Sequence, residues 1–116
     1  MSKRHDNDLL ADIGEAAQRI ADYVAGMSYA AFLSDTRTQD AVIRNLEIMG
    51  EAAKSLSLQM RTKYADVPWN EMARMRDRLI HHYSGVNLDI VWQISTAELP
   101  EAALKIEAIV RETRES

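Results

Sequence analysis

Apolar residues recur at alternating intervals of three and four along almost the whole chain, and that period restricts the fold more than any other feature. From Leu10 the series runs through Ile13, Ala17, Ile20 and Val24, with Asp12, Glu15, Gln18, Arg19 and Asp22 in the gaps. A helix completes a turn about every 3.6 residues, so the series draws one apolar stripe down one side. Gly26 stands where the left-handed C-terminal cap of that helix is expected. Tyr29, Phe32 and Leu33 form a short apolar segment after it. Asp35 or Thr36 can cap the free amides of the next long helix, whose stripe is Val42, Leu46, Met49, Ala53 and Leu56. Gly50 lies inside that helix, where glycine costs about 1 kcal/mol relative to alanine. A close crossing by another helix would account for it.

Pro68 opens another helix, with Trp69, Met72, Met75 and Leu79 along one side. Ser84-Gly85-Val86-Asn87 reads as a turn, and Leu88, Val91, Trp92 and Ser95 as a further helix. Pro100 suits the first turn of a last helix carrying Leu99, Ala103, Ile106 and Val110, because its missing N–H has no partner there. No stretch alternates as a strand should. The expectation is an all-α, up-and-down helical bundle of four to five main helices, one domain over residues 1–116. A chain of this length can bury roughly two-thirds of its unfolded surface, enough for one core.

Composition narrows the setting. There are no cysteines, which excludes disulfides and thiolate metal sites and fits a reducing compartment. The first ten residues are polar, without the apolar core of a signal peptide, and no apolar run approaches the roughly 18 residues of a membrane span. A cytoplasmic protein without membrane contact is expected. Eighteen acidic and 14 basic side chains leave a formal charge of −4, which argues against a general nucleic-acid coat; no DNA partner is expected. A local anion site remains compatible with that balance.

The segment from Trp69 to Trp92 holds the chemistry. Arg74, Arg76, Arg78, His81 and His82 crowd into nine residues opposed only by Asp77. On an unbroken helix Arg74 and Arg78 share a face and Arg76 points nearly the other way. Arg76 and Tyr83, seven apart, would stack on one face if the helix reached that far. His81 would lie about 140° round from Arg76. An arginine stem at a fraying helix end, or a second copy of the chain, can still bring guanidinium and imidazole together. His82 faces about 100° from His81 and reads as peripheral. Adjacent histidines diverge too far to chelate one ion, His5 sits in a polar arm, and no Glu-x-x-His pair occurs, so no metal and no other cofactor is expected.

The run Arg76-Asp77-Arg78-Leu79-Ile80-His81-His82-Tyr83 resembles the R-x4-H-x-Y signature of HepT-like HEPN toxins, the partners of MntA-type minimal nucleotidyltransferases. The resemblance covers nearly the whole chain. Leu46 to Lys54 is similar to that family's central-helix segment, Val67-Pro68-Trp69 to its lead-in, and Leu99-Pro100 to its last helix start. It implies a metal-independent endoribonuclease toxin, acting as a homodimer on RNA with Arg76 and His81 as catalytic residues. It further implies neutralisation by a nucleotidyltransferase antitoxin that attaches AMP to Tyr83. One departure stands out: the residue after the signature arginine is often asparagine, and here it is Asp77. A carboxylate there can orient Arg76 in a supporting role, yet it places negative charge beside the phosphate site. The alternative is a HEPN module that binds nucleotide or RNA, or scaffolds a partner, without cleavage.

The chemistery suits the residues. Cleaving RNA without metal requires a proton taken from the 2′-hydroxyl and one given to the leaving 5′-oxygen, and an imidazole titrating near about pH 6.5 can do either. Two copies of His81 in a dimer can divide the two tasks. A planar, permanently charged guanidinium suits the phosphate oxygens.

Overall fold

The two apolar stripes in the first half of the chain lie on α1 (Lys3–Val24) and α3 (Thr36–Ser55), joined through the short α2 (Tyr29–Leu33). The computed structural model describes residues 3–81 and 85–115, with the side chains of Lys3, Arg4 and His81 outside that description. Gly26 has the expected positive φ, 71°, just beyond the end of α1. Asp35 caps α3: its carboxylate accepts from the Thr38 amide at 3.0 Å and from the Thr38 hydroxyl at 2.7 Å. These bonds, the amide first, hold the Asp35 carboxyl below its ordinary range. A third cap ties distant segments together. Ser57 accepts from the Met60 amide at the start of α4 (Leu58–Lys63), while buried Asp6 of α1 accepts from both the amide and the hydroxyl of Ser57.

The second half holds α5 (Trp69–Ala73), α6 (Met75–Leu79), a two-residue antiparallel ladder between β1 (Ile80–His81) and β2 (Gly85–Val86), α7 (Leu88–Gln93) and α8 (Leu99–Glu115). Two expected boundaries differ from the sequence reading. The helix begun at Pro68 breaks at Arg74 and ends at Leu79, short of the histidines. Pro100 stands in the first turn of α8, as expected, but that helix is not separated from the one before it. A π-helical turn, Ile94–Glu98, joins α7 to α8, and the Leu99 amide bonds five residues back to the Ile94 carbonyl. The wider turn gives room where an α turn would press the Pro100 ring against the carbonyl four residues earlier.

The buried apolar side chains form one cluster, with Leu10, Ile13, Ile20, Phe32, Val42, Leu46, Met49, Val91 and Ile106 fully enclosed. Helix α1 packs on α3 and α8, and α3 packs in turn on α5. Trp92 joins α7 to α2 through tilted contacts with Phe32 and Tyr29, at ring-centroid distances of 5.1 and 5.8 Å. The loop before α5 is fastened to α8: the Tyr64 hydroxyl donates to Glu112, and Lys105 donates to the Asp66 carbonyl. Buried Trp69 satisfies its indole N–H on the Tyr64 carbonyl. The all-α bundle is thus the fold observed. Among the described residues no helix is long and apolar enough to cross a membrane.

Candidate functional site

Gly50 shows how the site is built. A Cβ there would sit 2.9 Å from the Met72 carbonyl oxygen and 3.2 Å from the Met75 Cβ. The missing side chain lets α5 and the start of α6 press against α3. Residues at helical spacing around Gly50 on α3 therefore flank the crossing. Glu47, Glu51 and Lys54 line one wall of an open groove of about 380 Å³, with Gly50 between them, and Ala73, Arg74, Arg76 and Asp77 line the opposite wall.

The break at Arg74 decides which arginines share this groove. Arg74 ends α5 and begins α6 with φ −100° and ψ 20°, outside the helical range. On an unbroken helix Arg76 would be about 200° from Arg74. The turn brings the two onto one groove, correcting the expectation that Arg76 points away. Arg78 instead turns to the other side, where its Nη2 donates to both carboxylate oxygens of Glu98 at 3.1 Å. The expected pairing of Arg74 with Arg78 on a shared face is therefore not found.

The groove's charges are open. Lys54, Arg74 and Arg76 meet Glu47, Glu51 and Asp77, three charges of each sign. Among the described residues, the four ion pairs lie elsewhere: Arg19–Glu15, Arg78–Glu98, Lys105–Asp66 and Arg111–Glu107. No described hydrogen bond or ion pair engages the six groove side chains, so Arg76 forms no bridge with Asp77 or Glu71.

After Leu79 the chain turns extended, with Ile80 at φ −101° and ψ 126°. Ile80 pairs with Val86 and His81 with Gly85, whose φ of 77° favours glycine. The Asn87 amide then bonds back to the Leu79 carbonyl at 2.7 Å, and the Asn87 side chain caps α7. His81 thus stands in a strand directly after the arginine helix, which ends at Leu79, and the expected stacking of Arg76 with Tyr83 falls on a residue outside the described ones. The His81 side chain, His82 and Tyr83 lie outside the described residues. Of the turn expected at 84–87, Gly85 and Val86 form β2 and Asn87 is the cap of α7.

The α3 wall escaped the sequence reading. Its signal was present: Glu47, Gly50, Glu51 and Lys54 fall at i, i+3, i+4 and i+7, one face of a helix marked by an interior glycine.

A helical bundle with an arginine-lined groove beside an arginine-to-histidine segment is the setting in which likeness to known proteins becomes informative. The family described as "Ribonuclease HepT-like" matches residues 13–109, which include Arg76, Asp77, His81 and Tyr83. A candidate RNase of Methanocaldococcus jannaschii is 44% identical across 97% of this chain and 93% of its own length. A "Probable ribonuclease HepT" of Thermococcus cleftensis is 41% identical across 92% of this chain and 97% of its own. A candidate RNase of Caldanaerobacter subterraneus is 38% identical across 90% and 94%. No solved structure matches the chain. The chain belongs to the HepT-like ribonuclease family.

Proposed function

We propose that this protein is a cytoplasmic toxin-type endoribonuclease that cuts RNA without a metal ion, with Arg76 and His81 as its catalytic residues. The observation that supports this most is the exposed, unbridged guanidinium of Arg76 on a groove wall, on the helix that runs directly into the strand carrying His81. In this reading a bound phosphodiester accepts hydrogen bonds from Arg76 at its non-bridging oxygens. An imidazole takes the proton of the 2′-hydroxyl, and the 2′-oxygen bonds to phosphorus as the bond to the 5′-oxygen breaks. A second imidazole returns a proton to the leaving oxygen, so the products carry a 2′,3′-cyclic phosphate and a 5′-hydroxyl. A homodimer supplies both imidazoles as two copies of His81. Asp77 supports Arg76 from the next position. Attachment of AMP to Tyr83 by a nucleotidyltransferase antitoxin adds a phosphate two residues from His81, which repels RNA and fills the site.

Purified, unmodified protein incubated with total RNA in EDTA tests the reading. Cleavage by the parent, absent in His81→Ala at unchanged helicity and melting temperature, is the expected result. A His81→Ala variant that cuts as well as the parent overturns the assignment. The three carboxylates in the groove favour one rival, a module that binds nucleotide or RNA without cutting. Binding by the parent with no new RNA ends in EDTA would select it.

A further inference from the structure

Arg76 can hold one phosphodiester, but the groove beside it offers two more cations that this role leaves idle. Lys54 lies on α3 and Arg74 at the α5–α6 break, on opposite walls of the same groove. Both are exposed, and neither enters a described hydrogen bond or ion pair although Glu47, Glu51 and Asp77 line that same groove. Elsewhere on the described surface, cations and carboxylates do find one another: Arg19 with Glu15, and Arg111 with Glu107, one helical turn apart. The groove keeps its charges separate, which leaves ammonium and guanidinium groups facing solvent on both walls.

We infer that Lys54 and Arg74 form a subsite for the backbone phosphate next to the one cleaved, so that the substrate is gripped at two consecutive phosphates. The inference rests on the ribonuclease reading and extends it to substrate positioning. The three carboxylates cancel the groove's formal charge, so long-range attraction is weak and direct contact must supply the grip. A lysine and an arginine suit different parts of that task. The arginine fork fixes orientation, and the lysine on its flexible stem follows the phosphate as a point charge. Because α3 and α5 are locked at Gly50, the two walls hold a fixed separation, and the subsite selects strand geometry without reading bases.

The test uses one RNA oligonucleotide of defined sequence, intact or with the phosphate on either side of the cleaved bond replaced by a neutral methylphosphonate. On intact RNA, Lys54→Ala is expected to lower kcat/KM about tenfold, mainly through KM, and to lower the slope of log kcat/KM against log salt by about 0.7, with Lys54→Arg restoring both. Neutralising one flanking phosphate should reproduce that loss in the parent and add nothing further in a Lys54→Ala/Arg74→Ala double variant. Losses that simply multiply, or a Lys54→Ala variant indistinguishable from an active parent, would overturn the subsite and leave the ribonuclease reading intact. A parent that cuts none of these RNAs would overturn both.

Discussion

Arg76 and Arg78 stand two residues apart on the same short helix, yet the two sides of α6 treat them differently. On one side Glu98, from the π-helical turn, takes both hydrogen bonds of the Arg78 Nη2 and ties the helix to the long α7–α8 rod. On the other, Arg76 shares a groove with three carboxylates and pairs with none of them. One guanidinium belongs to the packing of the bundle and the other stands in an open groove without a described partner. Identical side chains so close in sequence therefore sit in different surroundings, and under the proposed function substitution at each should move different observables.

The sharpest division is expected at Arg76. Arg76→Ala should reduce RNA cleavage by about 10²–10³-fold, the usual scale for losing a donor to a charge that develops during reaction. Its effect on stability should stay within about 0.5 kcal/mol, since the side chain is exposed and bridges nothing described. Cleavage assays beside thermal melts check both. An equal loss of cleavage in Arg78→Ala would erase the distinction between the two sides.

Gly50→Ala comes next, and it attacks the frame that both sides share. Alanine favours a helix over glycine by about 1 kcal/mol, so propensity alone predicts a more stable protein. The new methyl would press on the Met72 carbonyl at 2.9 Å, a backbone atom that cannot swing aside. Overpacking costs about 1–3 kcal/mol and should win, lowering the melting temperature by roughly 5–10 °C and cleavage with it. A variant that melts higher than the parent would show that α5 can retreat, and the groove would then not be set by this crossing.

Much of this architecture was legible in the sequence, for physical reasons that can be named. The stripes on α1 and α3 are long and regular, and their end signals are local: Gly26 and Asp35 act within a few residues of where they stand. Gly50 announced a close approach without naming the partner. Local rules failed where the controlling contact came from elsewhere. Arg74 is a good helix former, and nothing in its neighbours marks the break that turns it into the groove beside Arg76. Pro100 does mark the first turn of α8, but nothing local shows that a π turn joins that helix to α7. The sequence leaves open how far the helix carrying Arg76 runs, and Ile80 begins a strand whose partner lies six residues further on. Family resemblance nominates Arg76, His81 and Tyr83 as chemical residues; the α3 wall is visible only in the packing.

Breaking the Arg78–Glu98 pair should give a smaller effect. Both partners are partly exposed, at 30% and 40% of their side-chain surface, so Glu98→Ala should cost about 0–1 kcal/mol, or no more than about 5 °C in melting temperature. Cleavage should fall less than about threefold, because Arg76 keeps its place through the Gly50 crossing. High salt should weaken the parent and leave the variant's melting point nearly unmoved. A Glu98→Ala enzyme as inactive as Arg76→Ala would mean that the packed side of α6 sets the open side.

The smallest expected effect on cleavage lies far from both arginines, at the cap of α3, and serves as a control on whether the groove's α3 wall depends on the helix end. The Thr38 amide and hydroxyl favour the charged form of Asp35, so its folded pKa lies below the ordinary 3.8. A depressed folded pKa means that the unfolded chain takes up the proton first as pH falls. The cap's stabilising contribution is therefore complete above the unfolded value and is lost as pH drops through the folded one. Asp35→Ala should lower the melting temperature at pH 7 by roughly 3–6 °C, as losing an N-cap does, and the gap to the parent should shrink below about pH 4. Cleavage measured at pH 7, well below the melting point, should be unchanged. Lys54 sits near the opposite end of the same helix and Gly50 clamps the middle, so fraying at Asp35 should not reach the groove. A cap variant with impaired cleavage would show that α3 responds as one unit and that its wall is less firmly fixed at the crossing than its contacts indicate.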